Sequence, residues 1–273
     1  MYTDSHCHTS NFSFDGHMTG EELIEGAIAK SLDAVVITDH YEMDYPYPTD
    51  FPEIFDIPTY LSTIERWQEK ANGSLIVRKG IELGYQPHLG KIYEKLIQNH
   101  SFDSVIASCH LFKGVDPYYD PSCFSKEKEK SFSEYIHSLC DMMEDFSDFD
   151  ILAHYDYLSR YSPYEEKKIK YEYAPEAFDR LFSLLISQKK SLEFNTRSIY
   201  KLRQIGHTNF FSDENIYKRY KELGGSMVTL SSDSHDPSTF ALLFDEASAF
   251  LKKCGFTELT VFEKRKPFGI PIF

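Results

Sequence analysis

Short apolar runs punctuate this chain. Ala34-Val35-Val36-Ile37, Leu75-Ile76-Val77, Val105-Ile106-Ala107, Ile151-Leu152-Ala153 and Met227-Val228-Thr229-Leu230 are too brief for core helices and mostly β-branched, so they predict buried strands. A further run, Met1-Tyr2-Thr3, opens the chain. Between these runs apolar residues recur at helical spacing. Thr19-Gly20-Glu21-Glu22 reads as a capping box, in which Thr19 accepts from the N–H three residues on and Glu22 reaches back. It opens a helix with Leu23, Ile24, Ala27 and Ile28 on one face, ending near Ser31. The same spacing predicts helices over 58–71, with Pro58 in the first turn, and over 88–99, 131–146, 175–189, 212–223 and 239–253. Strands are predicted over 34–38, 75–83, 104–108, 150–154, 191–195 and 227–232. Strand and helix alternating from end to end is the pattern of a parallel-stranded α/β fold. Counting the first run gives seven strands, followed by Leu259-Thr260-Val261-Phe262. The spacing fits a seven-stranded, TIM-barrel-like (β/α) barrel with a terminal appendage better than an eight-stranded one, as a single domain over 1–273.

Two stretches break this rhythm. Residues 41–57 are rich in Tyr, Pro, Phe and acids, and residues 111–130 carry Gly114, Pro117, Pro121 and a mixed Lys/Glu run. Each follows a strand end, where the active sites of such barrels are built, so both are expected to roof a site.

Composition narrows the partners. With 41% hydrophobic and 26% charged residues the 273-residue chain can bury a large core, and its 19 Tyr and 22 Phe suit a ring-walled pocket. A formal charge of −14 argues against nucleic acid, whose binding draws on Lys and Arg. It also disfavours phosphorylated substrates unless metal ions reverse the local field. Five cysteines, Cys7, Cys109, Cys123, Cys140 and Cys254, form no CxxC pair and are odd in number, which points to a reducing cytoplasm. No signal-like segment opens the chain and no run approaches a membrane span, so no membrane partner is expected.

The chemistry sits at the strand ends. His6 and His8 follow the first run, His40 the second and Glu82 the third; His110, His154, and Asp233 with His235 follow later ones. Six of the eleven histidines therefore fall where a parallel barrel gathers its reactive groups. Two histidines at i and i+2 share a strand face and can bind one ion, and Asp233-Ser234-His235 repeats that geometry. Alternation turns the neighbouring Cys7 and Cys109 away, as small core residues. The donor set is nitrogen and carboxylate oxygen, suited to Zn, Fe or Mn. More than four ligands from different strands implies more than one divalent ion. A carboxylate such as Glu82 can bridge two ions about 3.5–4 Å apart, and a third is accommodated if His40 and His235 converge with Asp15 or His17.

The ordered set Asp4-Ser5-His6-Cys7-His8-Thr9, Thr38-Asp39-His40, Gly80-Ile81-Glu82, Ser108-Cys109-His110, Ala153-His154 and Ser232-Asp233-Ser234-His235 resembles the PHP (polymerase and histidinol phosphatase) family from about residue 2 to 236. The length and the segment Leu152-Ala153-His154-Tyr155-Asp156 are most similar to its histidinol-phosphate phosphatase branch. That resemblance implies a distorted seven-stranded barrel with two or three divalent ions at the C-terminal strand ends. It implies hydrolysis of L-histidinol phosphate in histidine biosynthesis by attack of a metal-bridging hydroxide. It places His6, His8, Glu82 and Asp233 on one ion, and Glu82, His110 and His154 on a second. A third falls to Asp15, His40 and His235, with Asp15 preferred over His17 by its position before Gly16. Many family members carry histidine where this chain has Asp15.

Arg160 and Arg197 lie just past His154 and Asn195, on expected strand-end loops from which a guanidinium fork could hold phosphate oxygens. Asp233 and His235 are candidates to move the leaving-group proton. Glu42 and Asp44 could attract the ammonium or imidazolium of the substrate, and rings of the same loop could stack on the imidazole. Asp39 is expected to orient a ligand histidine. His88, His100, His137 and His207 carry no expected role. Two other readings remain: a phosphoesterase of nucleotides or other small phosphates, with less use for the acidic loop, and a non-catalytic metal-binding barrel.

Overall fold

The protein is described by a computed structural model covering residues 2–49 and 52–272; Met1 of the first run and Asp50 and Phe51 of the expected roof lie outside the described residues. The first half runs β1 (Thr3–Cys7), α1 (Gly20–Ala29), β2 (Ala34–Ile37), β3 (His40–Tyr41), α2 (Ile57–Ala71), β4 (Ile76–Gly84), α3 (Gly90–Asn99) and β5 (Ser104–Ser108). The second continues with α4 (Lys128–Asp145), β6 (Ile151–Leu152), α5 (Tyr157–Tyr161), α6 (Pro175–Gln188), β7 (Ser191–Asn195), α7 (Arg197–Gln204), α8 (Glu214–Glu222), β8 (Val228–Ser231) and α9 (Phe244–Lys253). A hairpin of β9 (Glu258–Glu263) and β10 (Lys266–Pro271) ends the chain.

Seven strands pair in parallel in the order β1-β2-β4-β5-β6-β7-β8, with β3 as a short extra pairing on β4. Cys7 bridges Ser234, and the His8 N–H donates to the Ser234 carbonyl at 2.9 Å. The sheet is thus a nearly closed barrel, and the seven-stranded expectation holds. The capping box of α1 is present, and Asp56 caps α2 by accepting from the Thr59 N–H. Three elements beside the site were not predicted: β3, α5 and α7. Their two, five and eight residues are too few for either periodicity to register.

Strand alternation sorts the side chains. Val35, Ile37, Val105, Ala107 and Leu152 join the main core cluster, while Ile106, Ile151 and Ala153 form a second cluster with Phe262 of the hairpin. Glu82 sits in register with Ile106, and Ile106 with Ile151, so the second cluster fills the barrel interior below Glu82. The hairpin floors the N-terminal end of the barrel. Its turn residues Lys264 and Arg265 both have positive φ (50° and 64°), the two-residue geometry that suits twisted strands but favours Asn-Gly. Here Asp103 holds the turn instead, accepting the Lys264 N–H at 3.0 Å on its carboxylate and the Arg265 N–H at 2.9 Å on its carbonyl. The Arg265 side chain pairs with Asp148 at 3.0 Å and also with Asp150.

Candidate metal centre

At the opposite rim, each strand end delivers one or two donors to a common point. Glu82, fully buried on β4, is the hub. Its Oε2 lies 3.2 Å from His6 Nε2, 3.5 Å from His8 Nε2 and 2.7 Å from His40 Nδ1. Its Oε1 lies 3.0 Å from His154 Nε2 and 3.4 Å from His110 Nε2. Asp233 Oδ1 completes one side, 3.3 Å from His8 Nε2 and 3.9 Å from His6 Nε2. Asp233 has a φ of 52°, a left-handed conformation that a short acidic side chain tolerates. Asp15 meets His40 Nε2 at 3.4 Å and His235 Nε2 at 2.9 Å, its side chain 40% exposed toward the cavity. The exposed His17 joins this region through its N–H, which donates to the His235 carbonyl at 2.8 Å. Four compact donor groups result among the described residues: His6, His8 and Asp233; Glu82, His110 and His154; His8, His40 and His235; and His40, Glu42 and His110.

Four of the six rings are held in the same sense, whereas His40 turns its Nδ1 to Glu82. His6 Nδ1 meets Glu193 at 2.7 Å, His8 Nδ1 meets Ser13 Oγ at 3.2 Å, His110 Nδ1 meets Glu42 at 2.6 Å, and His235 Nδ1 meets the Asp233 carbonyl at 2.9 Å. Anchoring Nδ1 leaves Nε2 free as a donor toward the centre. The Nε2 atoms of His6, His8 and His235, with Glu82 Oε2, Asp15 Oδ1 and His40 Nδ1, are buried without a hydrogen-bond partner. Buried polar atoms are rarely left so. Orphans that converge on one place, with a nitrogen and carboxylate donor set, fit divalent ions.

The protonation pattern agrees. Burial opposes ionisation of Glu82, yet His6, His40 and His110 hold its carboxyl well below the usual range. Asp233 is likewise kept ionised against burial by Arg197, Arg160 and His6. Burial, reinforced by His235 and His40, keeps His8 neutral; His154 is lowered by burial, and His235 falls to about 4 through burial and Arg197. Burial also disfavours charge on His6, His40 and His110, but surrounding carboxylates overcome it and raise all three. The anionic field that draws protons to those rings would draw metal cations, and binding an ion releases the protons.

The cavity above the donors, about 460 Å³, is lined by Asp15, His40, His110, His154, Asp233, His235, Arg160, Arg197, Glu42 and rings of both irregular stretches. Both arginines are buried there, but on helices: α5 carries Arg160 and the first turn of α7 carries Arg197, so the expectation of strand-end loops is corrected. Arg160 reaches Asp233 Oδ2 at 2.9 Å, Asn195 Oδ1 at 3.1 Å and Ser198 Oγ at 2.9 Å. Arg197 donates to the Asp233 carbonyl at 2.6 Å and sits against His235 Nδ1.

The two acids expected to read the amine are placed differently. Asp44, in a left-handed turn (φ 56°), swings outward to His88 at 2.8 Å and does not line the cavity. Glu42 does line it, but is buried and engaged with His110, and its carboxylate occupies the space a side chain at Gly84 would fill, 1.7 Å from an ideal Cβ there. Asp39 accepts from Ser13 Oγ at 2.7 Å, and Ser13 meets His8, so it acts on a ring through a hydroxyl. Sequence reasoning missed Glu193, which anchors His6 and accepts the His154 N–H at 2.6 Å. Its signal was there: Ser191, Glu193 and Asn195 alternate with Leu192 and Phe194 on a buried strand.

Comparison with known proteins agrees with this geometry. The PHP domain profile matches residues 4–197; β8, with Asp233 and His235 after it, lies beyond the matched span. A protein of Clostridium acetobutylicum named "probable histidinol-phosphatase" is 32% identical over 97% of this chain and 98% of its own. The histidinol-phosphatase of Lactococcus lactis is 31% identical over 96% and 95%. A crystal structure of the Lactococcus lactis histidinol phosphate phosphatase, complexed with zinc, L-histidinol and phosphate, matches with a TM-score of 0.84, 28% identity and 98% coverage of both chains. A solved structure from Listeria monocytogenes, 17% identical with a TM-score of 0.73, shares the fold over 89% of this chain and 99% of its own.

Proposed function

The chain belongs to the PHP domain family, and on that premise we propose that it is a metal-dependent phosphomonoesterase hydrolysing L-histidinol phosphate to L-histidinol and phosphate, a step of histidine biosynthesis. The observation that carries this reading is the convergence of orphaned ring nitrogens on Glu82, Asp233 and Asp15 beneath a cavity walled by two buried arginines. The Lactococcus lactis relative, solved with zinc and both products of that reaction, supports it.

His6, His8, Glu82 and Asp233 would hold one ion, and Glu82, His110 and His154 a second. Asp15, His40 and His235 would hold the third, since the Asp15 carboxylate oxygens lie 3.4 and 2.9 Å from those two rings, whereas His17 borders the cavity with an exposed side chain. Zinc is the first choice; iron and manganese suit the same donors. Such ions supply Lewis-acid stabilisation of phosphoryl charge and lower the pKa of water. The protein's own groups do the rest. Arg160 uses Nε and Nη2 on Ser198, Asn195 and Asp233, which fixes its plane and leaves Nη1 to face a phosphoryl oxygen. Arg197, braced by the Asp233 carbonyl, offers its Nη2 in the same way. Both are aimed before substrate arrives, the preorganisation that stabilises developing charge. Asp233, ionised and bordering the cavity, is suited to accept the proton of the attacking water and return it to the departing alkoxide. Glu42 serves as the anchor of His110. The five cysteines are all free, and no helix among the described residues is long and apolar enough to cross a membrane, in keeping with a cytoplasmic enzyme.

The test is metal analysis of the purified protein alongside turnover of histidinol phosphate, nucleoside monophosphates and an aryl phosphate. At least two ions per chain and highest kcat/KM on histidinol phosphate are expected. Preference for a nucleotide would replace the substrate assignment. A fully metallated protein inert on every ester would make the barrel a metal-binding protein.

A further inference from the structure

Among the described residues Lys201 is the one lysine that lines this cavity. Lys70, Lys79, Lys91 and Lys113 each pair with a glutamate at the surface. Lys201 is half-buried in the wall of the cavity, and its ammonium makes no ion pair or hydrogen bond among the described residues. It lies one turn after Arg197 on α7, so the two side chains share a helix face. Burial, then Arg197 and Arg160, bring its pKa down to about 8, with Asp233 and Asp15 opposing. A cation held beside two guanidiniums, with no carboxylate bonded to it, is placed to receive an anion from the cavity.

The cavity is otherwise polarised. Its α5 and α7 wall presents Arg160, Arg197 and Lys201, whereas the facing loops present Asp116, Tyr45 and Tyr119. Asp116 is buried and accepts from the hydroxyls of Tyr45 at 2.5 Å and Tyr157 at 3.1 Å. Negative charge on a ligand is therefore favoured on the helix side, and any cationic end on the loop side.

We infer that Lys201 is a third phosphate-binding cation, which contacts the outer face of the phosphoryl group of a bound monoester, and of phosphate as product, beyond the reach of the two arginines. It is a binding residue that acts on ground state and transition state alike, so its loss should appear in KM. The inference rests on the phosphomonoesterase reading. Inorganic phosphate is a product of any phosphomonoesterase, so a phosphate titration tests Lys201 even if histidinol phosphate proves not to be the substrate.

The experiment is calorimetric titration of inorganic phosphate into the metal-loaded wild type, Lys201→Met and Lys201→Arg, with KM and kcat measured on an ester the wild type turns over. One charge-assisted contact to an anion is worth about tenfold in affinity when partly exposed. The Met variant should lose about that factor in phosphate affinity and in kcat/KM, the latter through KM, with metal content and Tm unchanged. The Arg variant should recover most of both. Unchanged phosphate affinity in Lys201→Met would overturn the inference. So would a loss matched by a loss of bound metal, since that would make Lys201 a structural neighbour of the metal ligands.

Discussion

At the floor of the barrel Phe262 packs on Ile106, Ile151 and Ala153, and the hairpin turn is tied down by Asp103, Asp148 and Asp150. At the rim, the same strands β4, β5 and β6 end in Glu82, His110 and His154, with no apolar filling between them. Both ends contain buried polar atoms without partners, but of different kinds. Those near the floor, Arg78 Nε and Nη1, Thr3 Oγ1 and Ser104 Oγ, are donors and hydroxyls on separate strands. Those at the rim are lone-pair atoms aimed at one another. Unfilled donors cost stability; converging acceptors cost more, until a cation joins them. The floor is built to close the fold, the rim to bind.

Glu82→Gln should make the largest difference between the two ends. It removes the charge on which the ring nitrogens of His6, His8, His40, His110 and His154 converge, while leaving the volume. Metal content should fall, and turnover should drop by about 10³-fold or more, the several kcal/mol that bound ions supply. Circular dichroism should stay that of the wild type, because the floor holds the barrel. Full metal occupancy with normal kcat would remove Glu82 from its bridging place.

Arg160→Met comes next. The guanidinium touches Asp233 without being a metal donor, so kcat should fall about 10²–10³-fold, the loss of one preorganised donor to developing charge. Arg160→Lys should rescue only part, lacking the planar fork. Wild-type kinetics at unchanged metal content would return Arg160 to a structural partner of Asp233. Arg197→Met should show a smaller loss.

The rim was far more legible in the sequence than the floor. The candidate donors stand out because each follows a strand end, and the runs before His40, Glu82, His110 and His154 are unambiguous. Glu193 was missed because its strand carries no histidine to draw attention to the alternating polar positions. Glu42 borders the cavity as expected, but its engagement with His110 was not foreseen, because sequence shows an acid near His40 and not that Gly84 opens space for it against His110. The outward turn of Asp44 to His88 was not foreseen because its left-handed backbone has no glycine to flag it. Of the floor hairpin the run Leu259-Thr260-Val261-Phe262 was foreseen as an appendage, but the turn and β10 were not. Lys264-Arg265 is not a turn signature, and the contacts that hold it, from Asp103 and Asp150, lie more than a hundred residues away in the chain.

A third prediction probes the supports of the rim. Ser13 Oγ donates to Asp39, accepts the His40 N–H at 3.0 Å, and meets His8 Nδ1. Ser13→Ala should free the His8 ring and lower affinity for an ion by about 10–100-fold, the usual cost of losing a group that orients a ligand. Excess metal should restore most of the turnover. If affinity is unchanged, the ring is held by packing against His40 and His235, whose centroids lie 4.2 and 4.0 Å away.

The smallest effect on chemistry is expected from the largest injury to the floor. Phe262→Ala deletes the ring that fills the barrel below Glu82, and such truncations cost about 3–5 kcal/mol when the cavity cannot collapse. Parallel strands on every side make collapse difficult, so Tm should fall by many degrees. Below the transition, kcat per folded chain and metal content should match the wild type, because the floor touches no donor. Phe262→Leu should cost much less, as it keeps most of the volume. The risk to this separation is specific. Ile106 and Ile151 contact Phe262 from β5 and β6, and the same two strands carry His110 and His154 at their other ends. If the interior acts as one rigid body, loosening the floor should weaken binding of the ion proposed at those two histidines before that of the one proposed at His6 and His8. A selective loss of one ion in Phe262→Ala, with the other retained, would show that the two ends are coupled through β5 and β6.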